Sequence, residues 1–126
     1  MALLPLLLGY LIRVKATDPT MRKIEQQMTA AVQNDSNWQS ANTAVIFNAE
    51  EGTSTVYLHG NKICTIGEDW MQLWDGGYQS KTTKSRLNAL LSAFGIDGER
   101  VFAKDFTWYL QQEGGPVPFF SGMRLA

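Results

Sequence analysis

Three β-strand patterns follow one another with only short turns between them, and this spacing restricts the fold more than any other feature. Residues 42–48 alternate with a period of two, residues 53–58 are rich in β-formers, and residues 62–66 follow the tight reversal His59-Gly60-Asn61. Parallel neighbours need a crossover of about a dozen residues, so these strands are predicted to form an antiparallel meander. The first strand is predicted to be buried on both faces at its centre, and Gly60 and Asn61 to take positive φ.

Helical patterns stand on either side of these strands. Asp18-Pro19 has the N-cap and N1 residue types of a helix start, and the helix is predicted to end near residues 34–37. Leu87, Leu90, Leu91 and Phe94 recur at i, i+3, i+4 and i+7, which predicts a second helix over residues 80–94 with Gly95 as its C′ residue.

The remaining patterns complete the prediction of fold class. Residues 68–75 are interpreted as a fourth strand, and residues 100–104 and 107–111 as a hairpin around Asp105. The order of helix, strands, helix and strands predicts an α+β fold, an antiparallel meander sheet with two helices packed on one face. We expect one domain over residues 21–112, an N-terminal extension over 1–20 and a C-terminal tail over 113–126.

Residues 1–12 are almost entirely apolar. The run is shorter than the roughly 20 residues of a membrane span, and its cations Arg13 and Lys15 follow it, unlike those of a secretory signal. It fits an interfacial anchor, a partner-binding segment or an extension upstream of the fold. The extension is favoured, because Met21 is a plausible alternative start at the beginning of the patterned region.

Composition excludes several classes of site. The net charge of −1 argues against a general electrostatic grip on nucleic acid, so any anion site must be local. The single cysteine, Cys64, excludes an intrachain disulfide, and the single histidine, His59, excludes a histidine-cluster metal site. We expect no metal, no cofactor and no membrane partner, and a location in the host cytoplasm.

The start of the second helix is the strongest candidate for a ligand site. Thr82 or Thr83 is the expected N-cap, and Lys84, Ser85 and Arg86 follow at once. Cations at this end oppose the helix dipole, so they indicate a bound phosphate rather than helix stability. The alternative is a solvated helix start with surface cations. It is not a P-loop, because the Gly-x-x-x-x-Gly-Lys pattern is missing.

Aromatic residues just upstream extend this candidate site. One of Trp70, Trp74 and Tyr78 is predicted to stack on a base beside the phosphate, and Asn61 is included from the neighbouring turn. The alternative for each ring is core packing or a dimer interface. Neither His59 nor Cys64 has a catalytic partner at a recognisable spacing, so we expect a binding protein and not an enzyme.

Three motifs resemble a group of small bacteriophage accessory proteins: Asn42-Thr43, Val56-Tyr-Leu-His-Gly-Asn61 and Thr82-Thr-Lys-Ser-Arg-Leu-Asn-Ala-Leu90. The resemblance runs from Met21 to Leu110. The layout is also similar to phage anti-Thoeris sponge proteins, which sequester a cyclic ADP-ribose signal without cleaving it. That similarity implies that Arg86 and Lys84 pair with phosphate while an aromatic ring stacks on adenine.

These observations predict a non-enzymatic phage anti-defence protein that sequesters a phosphate-bearing small molecule, such as a cyclic ADP-ribose or a cyclic nucleotide. The alternatives are a phage protein that binds single-stranded nucleic acid and an inhibitor of a host protein. A small sheet with open edges also predicts a homodimer or a higher homo-oligomer.

Overall fold

A six-stranded antiparallel sheet carries both helices on one face in the computed structural model, which describes residues 21–125. Its strand order is β1-β2-β3-β4-β5-β9, and a second sheet has the order β6-β7-β8. The helices are α1 (Lys23–Gln33) and α2 (Lys81–Phe94). The strands are β1 (Trp38–Ser40), β2 (Thr43–Asn48), β3 (Thr53–Leu58), β4 (Asn61–Ile66), β5 (Met71–Leu73), β6 (Arg100–Lys104), β7 (Thr107–Gln112), β8 (Gly115–Pro118) and β9 (Met123–Leu125). The α+β prediction is confirmed.

The inner face of the large sheet forms the core. Val45, Val56, Cys64 and Leu73 lie in one row across four strands, and all are fully buried. The helices cover this row with apolar side chains from both α1 and α2. No helix of residues 21–125 lies over the opposite face, and Ile46 there is 49% exposed. The predicted burial of β2 on both faces is therefore wrong.

The smaller sheet packs against α2 and has both of its edges blocked. The Asn88 side chain accepts from the Val101 N–H at 2.7 Å and donates to the Val101 carbonyl at 2.9 Å, which occupies the β6 edge. Pro116 and Pro118 remove two backbone donors from β8. Neither edge strand therefore offers a regular ladder to another strand.

The C-terminal residues are structured and do not form the predicted tail. Residues 115–118 pair with β7, and residues 123–125 pair with β5 at the edge of the large sheet. Met123 and Leu125 are buried on its inner face. These strands were missed because three or four residues are too few to display a period, and because Gly114-Gly115-Pro116 has the composition of a loop.

Both helix starts differ from the prediction. Ser80 is the N-cap of α2, with its hydroxyl accepting from the Thr83 N–H at 3.0 Å, so the assignment to Thr82 or Thr83 was wrong. α1 begins at Lys23 after an extended Arg22, and not at Pro19. Asp18, Pro19 and the rest of the predicted extension lie outside the described residues.

Two glycine predictions are also corrected. Gly95 ends α2 with φ of −82°, so it is not a left-handed C′ residue. It is glycine because a Cβ there would lie 2.8 Å from the Leu91 carbonyl oxygen and 2.7 Å from a Glu99 carboxylate oxygen. In the β3–β4 turn, positive φ falls on His59 and Gly60 rather than on Gly60 and Asn61. Between residues 21 and 125, no helix is long and apolar enough to cross a bilayer.

Candidate functional site

The motifs that stood out in the sequence meet at the buried side chain of Arg86. Its guanidinium donates to a Glu25 carboxylate oxygen at 2.7 Å, to the Thr43 hydroxyl at 3.1 Å and to the Asn42 side-chain oxygen at 3.4 Å. The Asn42 carbonyl in turn accepts from the His59 N–H at 2.8 Å. One polar network therefore ties α1, the β1–β2 and β3–β4 turns and α2 together.

The side chains at the centre of this network are buried in the protein interior. Arg86 is 4% exposed and Glu25 3%, and Ser85 donates to the same Glu25 carboxylate at 2.7 Å. Glu25 balances the guanidinium charge, so an incoming phosphate would have to displace a carboxylate to reach Arg86. Sequence analysis missed Glu25, although Met28 and Val32 at i+3 and i+7 place it on the buried face of α1.

Other predicted site residues stay near the surface around the start of α2. Tyr78 is 76% exposed, and its carbonyl accepts from the Ser80 N–H at 3.0 Å. Thr82 and Lys84 are half-buried, whereas Thr83 is buried with its hydroxyl 2.8 Å from that of Ser80. Within the described part of the chain, no carboxylate lies within ion-pair distance of Lys84.

Aromatic and cationic side chains share the face of the six-stranded sheet that neither described helix covers. We call this surface the outer face and define it by Tyr57, Lys62, Trp70, Trp74 and Arg124. The Lys62 ammonium lies 4.1 Å from the Trp74 ring centroid, and the Arg124 guanidinium lies 4.0 Å from that of Trp70. Tyr57 is opposite Lys62 in the β3–β4 register. The predicted site residue Asn61 is exposed at the start of β4, beside Lys62.

Polar groups without charge lie between these ring–cation pairs. The hydroxyl oxygens of Thr55 and Thr65 are 3.2 Å apart on adjacent strands. Gln72 is next in the same row, opposite Thr65 and Arg124, and donates to the Gly122 carbonyl at 2.9 Å. The outer face therefore combines flat rings, cations and hydroxyl groups on a rigid scaffold.

Charge is segregated between strands and turns. The nine strands contain four charged residues, and all four are cations: Lys62, Arg100, Lys104 and Arg124. Apart from the buried Glu25, the acidic residues between 21 and 125 lie in turns and loops. Lys62 and Arg124 belong to the outer face, so the charged side chains on its strands are cations although the whole chain carries a net charge of −1.

A cleft of about 220 Å³ opens beside the outer face and has the opposite charge. Apolar side chains line it, among them Ile66, Phe94, Ile96 and Leu125. Glu68, Asp69 and Glu99 also line it, which makes it the wrong sign for a phosphate. We call this surface the acidic cleft.

The two side chains considered as a nucleophile or a base, Cys64 and His59, differ in their exposure to solvent. Cys64 is fully buried in the central row, and burial raises the pKa of its thiol, which disfavours the reactive thiolate. His59 is exposed in the β3–β4 turn. Across residues 21–125, no group of three or more histidine, cysteine or acidic side chains is arranged to hold a metal ion.

Comparison with known families gives one match. The profile of a family described as Kyanoviridae Gp96 protein matches residues 21–126, which is most of the chain and includes the C-terminal strands. No curated protein and no solved structure is significantly similar to the chain.

Proposed function

Because this chain belongs to the Kyanoviridae Gp96 family of bacteriophage proteins, we propose that it serves the phage by binding a phosphate-bearing nucleotide without cleaving it. In this proposal the ligand is a small immune signal, such as a cyclic ADP-ribose or a cyclic nucleotide, and its sequestration in the host cytoplasm protects the phage.

The observation that carries this proposal is the pairing of rings and cations on the outer face. An indole offers a flat surface for a nucleobase, while lysine and arginine offer charge-assisted hydrogen bonds to phosphate oxygens. Lys62 and Arg124 now cover Trp74 and Trp70, and both cations are exposed. Each has enough reach to turn from its ring to a phosphate, which would free the indole for a base.

The role of Arg86 changes in this proposal. The sequence predicts that it contacts phosphate, but its donors are directed to Glu25, Thr43 and Asn42 inside the protein. We assign it to holding α2 against the sheet. Tyr78, Thr82 and Lys84 retain access to solvent, so the start of α2 stays a predicted second position for the phosphate.

Calorimetric titration with cyclic ADP-ribose isomers and cyclic nucleotides tests the proposal. We expect saturable binding by the native protein, recovery of the intact nucleotide by mass spectrometry, and at least tenfold weaker binding by the Lys62→Ala/Arg124→Ala variant. The Lys23→Ala variant is the control, because Lys23 is an exposed cation on α1 and away from this face. Absence of binding, cleavage of the nucleotide, or undiminished binding by the double variant would contradict the proposal.

A second ligand is favoured by the openness of the outer face. The face spans β2 to β9, about 20 Å at a strand spacing of about 4.8 Å, and no described element closes over it. An open platform of this width fits several nucleotides of a single strand. Oligonucleotide binding would show a salt slope near −1.4 for two phosphate contacts on a log–log plot, and losing Lys62 and Arg124 would abolish that slope.

A further inference from the structure

Phe106 occupies an unusual position at the tip of the β6–β7 hairpin. Its side chain is completely exposed, at 103% of the reference area, and its φ is +65°. Asp105 before it has φ of +51°, so both turn residues are left-handed, as in a type I′ turn. Glycine or asparagine is the usual residue there. Phenylalanine strains the backbone and leaves a ring in water, and nothing among residues 21–125 accounts for it.

We propose that Phe106 inserts into the acidic cleft of a second copy of this chain. The cleft of about 220 Å³ exceeds the roughly 150 Å³ of an apolar cavity that accommodates benzene. Its lining includes Ile66, Phe94 and Leu125, which match a phenyl ring in polarity. This proposal does not rest on the nucleotide proposed above, because the hairpin tip and the cleft do not use Lys62 or Arg124, although Trp70 lines both the cleft and the outer face.

The charges around the two surfaces are complementary. The hairpin presents Arg100 and Lys104 on its exposed face, with Asp105 as its single carboxylate. The cleft presents Glu68, Asp69 and Glu99. Docking the tip brings Lys104, two residues from Phe106, toward this acidic lining. A symmetric contact between two hairpin faces would instead oppose cation with cation.

The position of the two surfaces sets the type of assembly. Glu99 of the cleft precedes β6 and Phe106 follows it, so they lie at opposite ends of a strand about 13 Å long. The ring therefore cannot reach the cleft of its own chain, and identical copies join either as a two-fold dimer with reciprocal insertion or head to tail as a ring or an open chain. Asn88 and the prolines of β8 block strand pairing at the edges of the small sheet. The small sheet is therefore expected to contact a second copy through an inserted side chain.

Light scattering and sedimentation across a concentration series test this assembly. We expect the native protein to associate, and the Phe106→Ala and Phe106→Gly variants to remain monomeric. Phe106→Gly should also raise the melting temperature, because glycine relieves the positive φ; loss of association then cannot be attributed to misfolding. Phe120→Ala is the matched control, since Phe120 is 63% exposed and belongs to neither surface.

Mixing two defective variants distinguishes insertion of Phe106 into the cleft from a contact between two hairpin faces. Phe106→Ala keeps the cleft, and Glu68→Lys/Asp69→Lys keeps the ring but reverses the charge of the cleft. Each should be monomeric alone, and the mixture should form a one-to-one complex. A monomeric native protein at all concentrations, association that survives Phe106→Ala, or a mixture that stays monomeric would overturn the proposal.

Discussion

At the scale of single residues, Arg86 shows how much of a residue's role can be predicted from sequence before its tertiary contacts are known. A cation in the first turn of a helix opposes the helix dipole, which correctly marks the residue as unusual. The explanation differs from the prediction, because Glu25 lies 61 residues away and no local pattern connects the two. Glu25 in α1, Thr43 in β2 and Asn42 in the β1–β2 turn accept the hydrogen bonds of the Arg86 guanidinium.

This pair makes a prediction for stability. Arg86→Ala should lower the free energy of unfolding by about 3–5 kcal/mol, because it leaves the Glu25 carboxylate buried without its counter-charge. Glu25→Ala should cost a similar amount, and the double variant should cost clearly less than the sum. Urea denaturation of the four proteins measures this coupling. Lys84→Ala is the control and should change stability by less than about 0.5 kcal/mol. Additive losses would show that the two side chains act independently.

At the scale of elements, long sequence patterns predicted their helices and strands correctly, and short patterns did not. The strands of six residues, the hairpin at Asp105 and the end of α2 at Phe94 lie where the sequence places them. β1, β8 and β9 have three or four residues, and only their pairing partners make them strands. The same holds for the candidate site, where the sequence identified Trp74 but not its partner Lys62, which lies across the sheet.

The N-cap of α2 provides a test at this scale. The Ser80 hydroxyl accepts from the Thr83 N–H and lies 2.8 Å from the Thr83 hydroxyl. Ser80→Ala should therefore lower the free energy of unfolding by about 1 kcal/mol. Ser80→Asp should retain most of the stability, because a carboxylate accepts the same bond and suits the helix dipole. Thr82→Ala should have little effect, and a larger loss from Thr82 than from Ser80 would restore the original assignment.

At the scale of the whole molecule, the fold forms three surfaces, and two of them, the outer face and the acidic cleft, share Trp70. One face of the large sheet forms the core, and among residues 21–125 no helix covers the outer face. The exposed carboxylates lie in turns and loops, and the hairpin tip and the acidic cleft lie at opposite ends of β6. Net charge argued against a general electrostatic grip on nucleic acid and left only a local anion site, because it averages over strands and turns that carry opposite signs. The composition could not reveal this separation, since it depends on which residues the meander turns outward.

Cys64 provides a test of whether the large sheet opens as one unit, because its thiol is fully buried in the core row. We expect only global unfolding to expose it. Burial raises the pKa of the thiol in the folded protein, so above about pH 9 the unfolded chain releases a proton that the folded chain retains. Stability should therefore fall as pH rises, and between pH 8 and 10.5 the native protein should lose about 2 kcal/mol more than Cys64→Ala. Urea denaturation of both proteins at the two pH values measures the difference, since other titrating groups are common to both. Equal losses, or rapid reaction of the thiol with Ellman's reagent at pH 8 without denaturant, would mean that the sheet opens locally at β4 rather than as one unit.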